Sequence, residues 1–562
     1  MTWSASRWGL LLAGAWLVLA LHGLGAADIV GDDEAREAGI VQDVVAGHWL
    51  LPRFNDQLLP DKPILYHWLA AAPCALAGFS ETAVRLPSAL AGAALVWWTT
   101  TFGAALFGRT AGIVAGILLA TTPTFLDHAR VARPDVLLAL LLALALGAAF
   151  RWWRDGARRD AAWALAWVGA GVLAKGPVAP ALSGATLVAF LAWQRQLRRL
   201  PGLLTVPGVA AALVLGLGWY AVALAGWGGR FVHEHLVGRY VGNVVGGLRV
   251  GKAYSQRSVL YHLLFYPKHL LVVALPWTPL VAVAVWQLWR AGRVRDPRAR
   301  FLVCWALAPV VVFTPAQWKL RYYLLPSLPA LACLAAPVVT ALLAAPLPKT
   351  GRVPRAVAAL VVAALVVAAG WLALTHADRF ADADRAVLAS LATVAATSSA
   401  AALLGFGLGV AVVTVALFAW PGLVAVTAAA VVAWSAIGLP AMEQATSRRD
   451  SLRPFAEAAR AAALPLAFYG PTVRPIVVYV GHPIPTLHRK PDALLPHTLV
   501  IATEPDYHSL VEHARLGPPL AIATGRASNL TSTRLVLAET RQPKPRTDPA
   551  DGAGPGAPAA RL

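Results

Sequence analysis

Residues 28–68, DIVGDDEAREAGIVQDVVAGHWLLPRFNDQLLPDKPILYHW, interrupt the apolar sequence on either side of them. Residues 28–62 alone carry eight of the chain's 28 carboxylates, and most of these precede the run AGIVQDVVAG, whose apolar residues have helical spacing. That run predicts an amphipathic helix lying along a membrane surface. The acidic group Asp32, Asp33 and Glu34 would then stand at one end of a compact loop, with Lys62 at the other.

The composition is that of a polytopic membrane protein. Of the 562 residues, 58% are hydrophobic and only 14% are charged, and the mean hydropathy is +0.61, far from the values of soluble proteins. The net charge of +20 comes from Arg residues in short loops between apolar runs, which indicates inward-facing loops rather than nucleic-acid binding. Cys74, Cys304 and Cys333 have no C-x-x-C spacing, so neither a disulfide framework nor a thiolate zinc site is indicated.

Apolar runs of about 20 residues predict transmembrane helices. Arg residues concentrate in every second loop, which predicts a cytoplasmic N-terminus and, with an odd number of spans, an outer C-terminus. Residues 1–27 also fit a cleaved signal peptide, and in either case the acidic loop lies outside. Thirteen spans are predicted, at residues 8–27, 84–107, 111–126, 134–150, 161–174, 178–193, 205–226, 270–290, 299–315, 322–345, 355–375, 388–418 and 421–440.

The composition changes after Pro440. Short apolar runs at 476–480 and 498–502, together with a helical pattern at 454–463, predict a small α/β domain. The last residues are rich in Pro, Ala and Gly, which is typical of disorder. We therefore expect a membrane domain at residues 1–444 with its first outer loop at 28–83, a soluble extracytoplasmic α/β domain at 445–540 and a disordered tail at 541–562.

Under this topology the polar residues that interrupt the apolar sequence fall on the outer side. They come from five separate loops, and a convergence of cations and carboxylates at one interface is typical of an active site. A lipid-linked anionic substrate could enter such a site sideways from the membrane. The residues concerned are Asp32, Asp33, Glu34, Arg36, Lys62, Asp127, His128, Arg130, Arg133, Asp135, Lys175, residues 230–268 and residues 318–323.

Four motifs resemble those of one enzyme family. The first outer loop has the order D-E-x-R, an amphipathic helix, G-x-W-x-x-P-x-x-N and D-K-P, and it resembles the first outer loop of the lipid A aminoarabinose transferases. The turn at Lys175 is similar to their T-K-G-P turn, and residues 319–326 are similar to their K-L-x-x-Y-x-L-P. Residues 234–240 approximate their E-H-x-x-R-F, with one extra residue before Arg239.

These transferases belong, with the protein O-mannosyltransferases, to the polyprenyl-phosphate-sugar-dependent (GT-C) glycosyltransferases. The resemblance implies an α-helical polytopic membrane protein of the GT-C type in the cell inner membrane. Its expected partners are a polyprenyl-phosphate sugar donor, membrane lipid, and a lipid A, protein or other glycan acceptor.

The implied reaction needs a nucleophilic acceptor oxygen and a stabilised departing phosphate. Carboxylates suit the first task and cations the second. No cofactor is indicated, and a divalent metal ion is left open. The candidate catalytic residues are Asp33, Glu34 and Asp135, and the candidate substrate-binding residues are Arg36, Lys62, Lys175, Arg239, Lys319 and Tyr323.

Structural roles compete with these assignments. The segment His233-Glu234-His235 lacks the H-E-x-x-H spacing, so it does not indicate a metal site. The structural alternatives are a helix cap for Asp32, Asp33, Glu34 or Asp135, an interfacial anchor for Lys62, a C-terminal helix cap for Lys175 and an aromatic belt for Tyr322 and Tyr323.

A polytopic transporter or lipid flippase is the alternative function, and an assembly subunit that only binds a partner is another. A transporter would place charged residues at mid-span, whereas here they crowd one interface. Convergence of Asp33, Lys62, Asp135 and Lys319 within about 10 Å would favour a catalytic site.

Overall fold

A computed structural model describes residues 3–56, 62–241, 259–290, 295–316, 319–344 and, with short gaps, 431–540. The chain divides into two compact units, Met1–Ser451 and Leu452–Leu562. The predicted spans at 355–375 and 388–418, most of the span at 421–440, and the predicted tail lie outside the described residues.

The first unit is helical throughout its described part. Short 3₁₀ helices occur at Leu197–Leu203 and Arg321–Ser327, and a π-helix at Val232–Val241. The α-helices are α1 (Trp3–Leu21), α2 (Asp32–Val45), α3 (Leu65–Ala77), α4 (Glu81–Phe107), α5 (Arg109–Ala120), α6 (Pro123–Ala129), α7 (Asp135–Asp155), α8 (Arg158–Lys175), α9 (Val178–Trp193), α10 (Val206–Phe231), α11 (Val259–Val273), α12 (Thr278–Arg290), α13 (Pro297–Phe313) and α14 (Leu328–Ala344).

Among the described residues, four helical segments are long and apolar enough to cross a membrane. They are Glu81–Phe107, Asp135–Asp155, Val206–His235 and Arg321–Ala341, and α5 with α6 makes a fifth if the 64° bend between them lies within one span. Several shorter apolar helices accompany them. The structure therefore has the apolar helices of a membrane protein, and the exact number of spans stays a prediction.

Close packing of α4 against α5 depends on glycine. The two helices pack against each other, and α4 also packs against α1 and α7. A Cβ atom on Gly112 would lie 2.4 Å from the Thr100 carbonyl oxygen, and one on Gly116 would lie 2.0 Å from Thr100 Oγ1. The two glycines are four residues apart, so they form the small-residue stripe that lets membrane helices approach closely.

The segment predicted as the first outer loop contains two helices. The predicted amphipathic helix is present as α2, but it begins at Asp32 and is largely buried, with Ile40, Val41 and Val44 fully inaccessible. It packs against α3, a helix that the sequence analysis did not predict. The predicted span at 270–290 also differs, because the structure divides it between α11 and α12.

The second unit contains α15 (Arg453–Ala461), β1 (Leu466–Tyr469), α16 (Arg474–Val480), β2 (Leu499–Thr503), α17 (Glu504–Glu512), β3 (Leu516–Arg526) and β4 (Ser532–Thr540). The sheet has the order β1-β2-β4-β3, with β1 parallel to β2 and the other pairs antiparallel. The strand predicted at 498–502 forms as β2. The strand predicted at 476–480 is wrong, since these residues lie in α16, between Pro475 in its first turn and the left-handed Gly481 that ends it.

Candidate active site

Asp33 lies at the start of α2, where three polar side chains reach its carboxylate. Arg36 Nη2 lies 3.2 Å from Oδ1 on the same helix. Arg133 Nη2 and the Tyr322 hydroxyl each lie 3.4 Å from Oδ2. The α2 helix, the segment before α7 and the 3₁₀ turn Arg321–Ser327 therefore meet at this carboxylate, although they are far apart in sequence.

The surrounding charges keep Asp33 ionised. Burial alone would raise the pKa of its carboxyl group, but Arg133, Arg36 and Lys62 outweigh burial and lower the pKa to about 2. A carboxylate with so low a pKa binds a proton weakly. Asp33 is thus better suited to orient a hydroxyl or cation, or to balance charge, than to remove a proton from a neutral acceptor.

Glu37 lies one turn after Asp33, on the same face of α2. Its Oε1 accepts hydrogen bonds from Lys62 Nζ at 2.7 Å and Arg36 Nη2 at 3.2 Å. Its Oε2 lies 2.9 Å from Nε2 of His67, which is on α3. Glu37 is 1% exposed and His67 is 0% exposed. The Glu37 carboxylate therefore contacts Lys62 and Arg36 from the protein interior.

A second buried ion pair joins α7 to α8. Asp135 is the first residue of α7 and Lys175 is the last of α8, and Lys175 Nζ bonds Asp135 Oδ1. The other oxygen, Oδ2, is buried and has no hydrogen-bond partner among the described residues. Lys175 Nζ lies 4.8 Å from the ring centre of Tyr323 and 5.8 Å from that of Tyr322, and Tyr322 connects this pair to Asp33.

Glu34 has a different environment from Asp33. It receives two hydrogen bonds from the Arg85 guanidinium on α4, at 2.8 and 3.2 Å, and one from the backbone N–H of Ala132 at 2.9 Å. Burial opposes ionisation, but Arg85 prevails and lowers the pKa of Glu34. These contacts engage both oxygens of a buried carboxylate, which favours a structural role for Glu34.

The segment before α7 is fixed on both sides. Ser88 Oγ on α4 lies 2.8 Å from the Val131 carbonyl oxygen and 3.0 Å from that of Arg133. Arg130 is buried, and its guanidinium donates to both carboxylate oxygens of Glu443, at 2.9 and 2.6 Å. This anchoring directs the Arg133 side chain toward Asp33, and the Arg133 guanidinium also lies 5.0 Å from the ring centre of Tyr322.

Two predicted substrate-binding residues, Lys319 and Arg239, have no described contact with Asp33 or Glu37. Lys319 Nζ donates to the Thr314 carbonyl oxygen at 2.5 Å and lies 5.2 Å from the ring centre of Tyr266. No described contact connects Lys319 to Asp33 or Glu37. Arg239 belongs to the π-helix Val232–Val241, but its side chain lies outside the described residues.

The structure therefore brings most of the predicted site residues together and adds others. The sequence motifs do not identify Arg133, Tyr322, Glu37 or His67 as site residues. The spacing of Glu37 from Asp33 by one helical turn was the available signal. We call the following residues the charged cluster: Asp33, Arg36, Glu37, Lys62, Arg133, Asp135, Lys175, Tyr322 and Tyr323.

The charged cluster suits an anionic ligand. It has four cations, Arg36, Lys62, Arg133 and Lys175, against three carboxylates, and Asp135 lies within electrostatic range of both Lys62 and Arg133. Arg and Lys together supply the donors that bind phosphate oxygens. Within the described residues, no group of three or more His, Cys, Asp and Glu side chains could hold a metal ion.

Comparison with known proteins places these features in context. The family described as dolichyl-phosphate-mannose-protein mannosyltransferase matches residues 61–220. An undecaprenyl phosphate-alpha-4-amino-4-deoxy-L-arabinose arabinosyl transferase of Pseudomonas fluorescens is 29% identical over 345 residues, which is 59% of this chain and 59% of that protein. One from Shewanella sediminis is 30% identical over 340 residues, covering 57% and 58%.

The fold agrees with these similarities. The structure of ArnT from Cupriavidus metallidurans bound to undecaprenyl phosphate superposes with a TM-score of 0.73 at 21% identity, covering 95% of this chain and 98% of that one. The matched sequence spans about three-fifths of the length of the curated relatives. These findings confirm the resemblance to the polyprenyl-phosphate-sugar-dependent glycosyltransferases that the sequence motifs predict, and the fold is that of ArnT.

Proposed function

We propose, from this shared fold and similarity, that the chain is a membrane glycosyltransferase that takes a sugar from a polyprenyl-phosphate donor. The observation that carries the proposal is the charged cluster. Cations from α2, the segment before α3 and the segment before α7 act on Asp33, and Lys175 of α8 pairs with Asp135. Cations that converge beside a carboxylate suit the binding of a phosphate, which is what sugar transfer from a phosphate requires.

The proposed reaction exchanges one bond for another at the anomeric carbon of the sugar. The bond between that carbon and the phosphate oxygen breaks, and a bond to the acceptor oxygen forms. The electron pair leaves with the polyprenyl phosphate, whose negative charge grows. Lys62 and Arg36 would stabilise that charge, because interactions that strengthen as charge develops lower the barrier.

Asp33 would orient the acceptor in this scheme. With a pKa of about 2, it is a poor base for a neutral hydroxyl, which favours an acceptor that is already ionised, such as a phosphate on lipid A. Arg133 beside Asp33 could then bind that acceptor while Asp33 sets its direction. We propose an anionic lipid acceptor over a protein hydroxyl for this reason.

The experiment is transfer by the purified protein from an undecaprenyl-phosphate sugar to lipid A, followed by mass spectrometry of the lipid. We expect Asp33→Asn to reduce transfer by about 100-fold or more, and Lys62→Ala to reduce it by about 10- to 100-fold, the value of one charge-assisted contact. Lys62→Arg should recover only part, because a planar guanidinium does not replace a point charge.

Asp43→Asn provides the matched control. Asp43 is also on α2, but it bonds His48 and the backbone of Arg53 instead of the charged cluster. The transfer activity of the Asp43→Asn variant should stay within about twofold of that of the unmodified protein. Equal activity of Asp33→Asn and the unmodified protein would remove Asp33 from the site, and transfer to no lipid or protein acceptor would contradict the proposed function.

A further inference from the structure

We propose that Glu37, supported by His67, is a positioning residue that directs Lys62 and Arg36 toward the phosphate of the sugar donor. The inference rests on the proposed function and deepens it. It concerns two side chains that none of the sequence motifs includes, one on α2 and one on α3. Neither would touch the substrate, since both are buried behind the cations.

The geometry gives Glu37 control of two cations at once. A single oxygen, Oε1, accepts from Lys62 Nζ at 2.7 Å and from Arg36 Nη2 at 3.2 Å. A lysine side chain has many rotamers, so without a fixed partner its ammonium would sample many positions. The Lys62 side chain is 17% exposed against 1% for Glu37. The buried carboxylate therefore holds the Lys62 ammonium on its interior side and leaves part of the Lys62 side chain accessible.

His67 fixes the carboxylate in turn. Its Nε2 lies 2.9 Å from Glu37 Oε2, and its Nδ1 is buried without a hydrogen-bond partner among the described residues. A neutral imidazole with its proton on Nε2 donates to Glu37 and leaves only an unprotonated nitrogen unpaired. Because His67 occupies Oε2, the carboxylate cannot rotate and Oε1 stays directed at the two cations.

Glu37 and Asp33 have different roles in the proposed site. Asp33 is partly exposed, at 36% of its side chain, and contacts Arg133 and Tyr322. Glu37 has both oxygens engaged by described neighbours and no open side. The first carboxylate therefore faces the substrate, whereas the second acts through the cations that it holds.

A double-mutant cycle tests this relation. Glu37→Gln keeps the size of the side chain but removes its charge, and we expect kcat to fall by about 10- to 100-fold, with a smaller change in KM for the sugar donor. If Glu37 acts through Lys62 and Arg36, then Glu37→Gln should cost clearly less in the Lys62→Ala variant than in the unmodified protein, because only its action on Arg36 remains. Losses that simply multiply would show that Glu37 acts independently of Lys62 and would overturn the proposal.

His67 supplies a second, independent set of variants. His67→Phe keeps an aromatic ring but removes the N–H donor, and it should lower kcat in the same direction as Glu37→Gln, with no further loss when the two are combined. His67→Gln retains an N–H donor and should recover most of the activity. Equal damage by His67→Phe and His67→Gln would indicate packing alone and would count against the proposal.

The outcomes separate this proposal from the proposed function. Transfer by the unmodified protein together with multiplicative variants would reject only the positioning role. Absence of transfer by the unmodified protein would reject the proposed function. Size-exclusion profiles and thermal unfolding of each variant accompany the kinetics, and failure of both Glu37→Gln and His67→Phe to fold would assign the pair to stability and overturn the positioning role.

Discussion

Asp33 and Glu34 are adjacent in sequence, but α2 turns their side chains toward different partners. Glu34 forms a two-point ion pair with Arg85, and Arg85 also donates to the backbone carbonyls of Leu24 and Ala27. We expect Glu34→Gln to destabilise the protein by about 3 kcal/mol, because removing one charge leaves the buried Arg85 charge uncompensated. Thermal unfolding in detergent measures this, and an unchanged melting temperature of Glu34→Gln would contradict the two-point ion pair.

A pH dependence follows from the Asp33 carboxyl. Its pKa is about 2 in the folded protein, against about 3.9 in an unfolded chain. A group with a lowered folded pKa stabilises the protein fully above the unfolded value, and this contribution disappears as the pH falls through the folded value. We expect the melting temperature of the unmodified protein to fall more steeply than that of Asp33→Asn between pH 4 and pH 2. Parallel curves would contradict the lowered pKa.

The residues of the site could be predicted only where a motif marks them. D-E-x-R, D-K-P and the Lys175 turn pointed to Asp33, Lys62 and Lys175, which the structure places in the charged cluster. Glu37 and His67 carry no motif, and their contacts join residues 25 and 30 positions apart. The sequence could not show that α3 turns His67 back toward α2, since this depends on a helix that was not predicted.

At the scale of elements, the glycine stripe of α5 determines how closely two helices approach. A side chain on Gly116 would collide with Thr100 Oγ1 on α4, and overpacking of this kind costs roughly 1–3 kcal/mol. We expect Gly116→Leu to lower the melting temperature clearly and Gly14→Leu to change it little, because a Cβ on Gly14 meets nothing within 4 Å. Similar melting temperatures for the two variants would contradict the close packing of α4 and α5.

Each wrongly predicted element has its own physical cause. Residues 476–480 are rich in β-branched side chains, which favour strands, yet Pro475 and Gly481 suit the start and end of a helix and α16 forms there. Helix α3 has only 13 residues, too few for a span, so its apolar sequence predicts only the return of a loop to the membrane. Long, uniformly apolar helices such as α4 and α7 were predicted well because their length alone identifies them.

At the scale of the whole molecule, the distribution of basic residues predicts the orientation in the membrane. The inner loops of the predicted topology carry clusters such as Arg151, Arg154, Arg158 and Arg159, whereas the short outer loops carry one or two basic residues. Basic residues in short loops stay on the cytoplasmic side. The charged cluster would then lie at the outer surface of the membrane, where a polyprenyl-phosphate sugar would be accessible.

The predicted number of spans places the second unit, Leu452–Leu562, outside the cytoplasm, because a chain with thirteen spans that begins in the cytoplasm ends on the other side of the membrane. We expect alkaline phosphatase fused after residue 540 to be active, since this enzyme requires export, and a fluorescent protein fused there to remain dark. The reverse pattern is expected for fusions after Gly156, in the basic loop between α7 and α8. Cytoplasmic signals from both positions would show an even number of spans, with the error most readily located in residues 388–440.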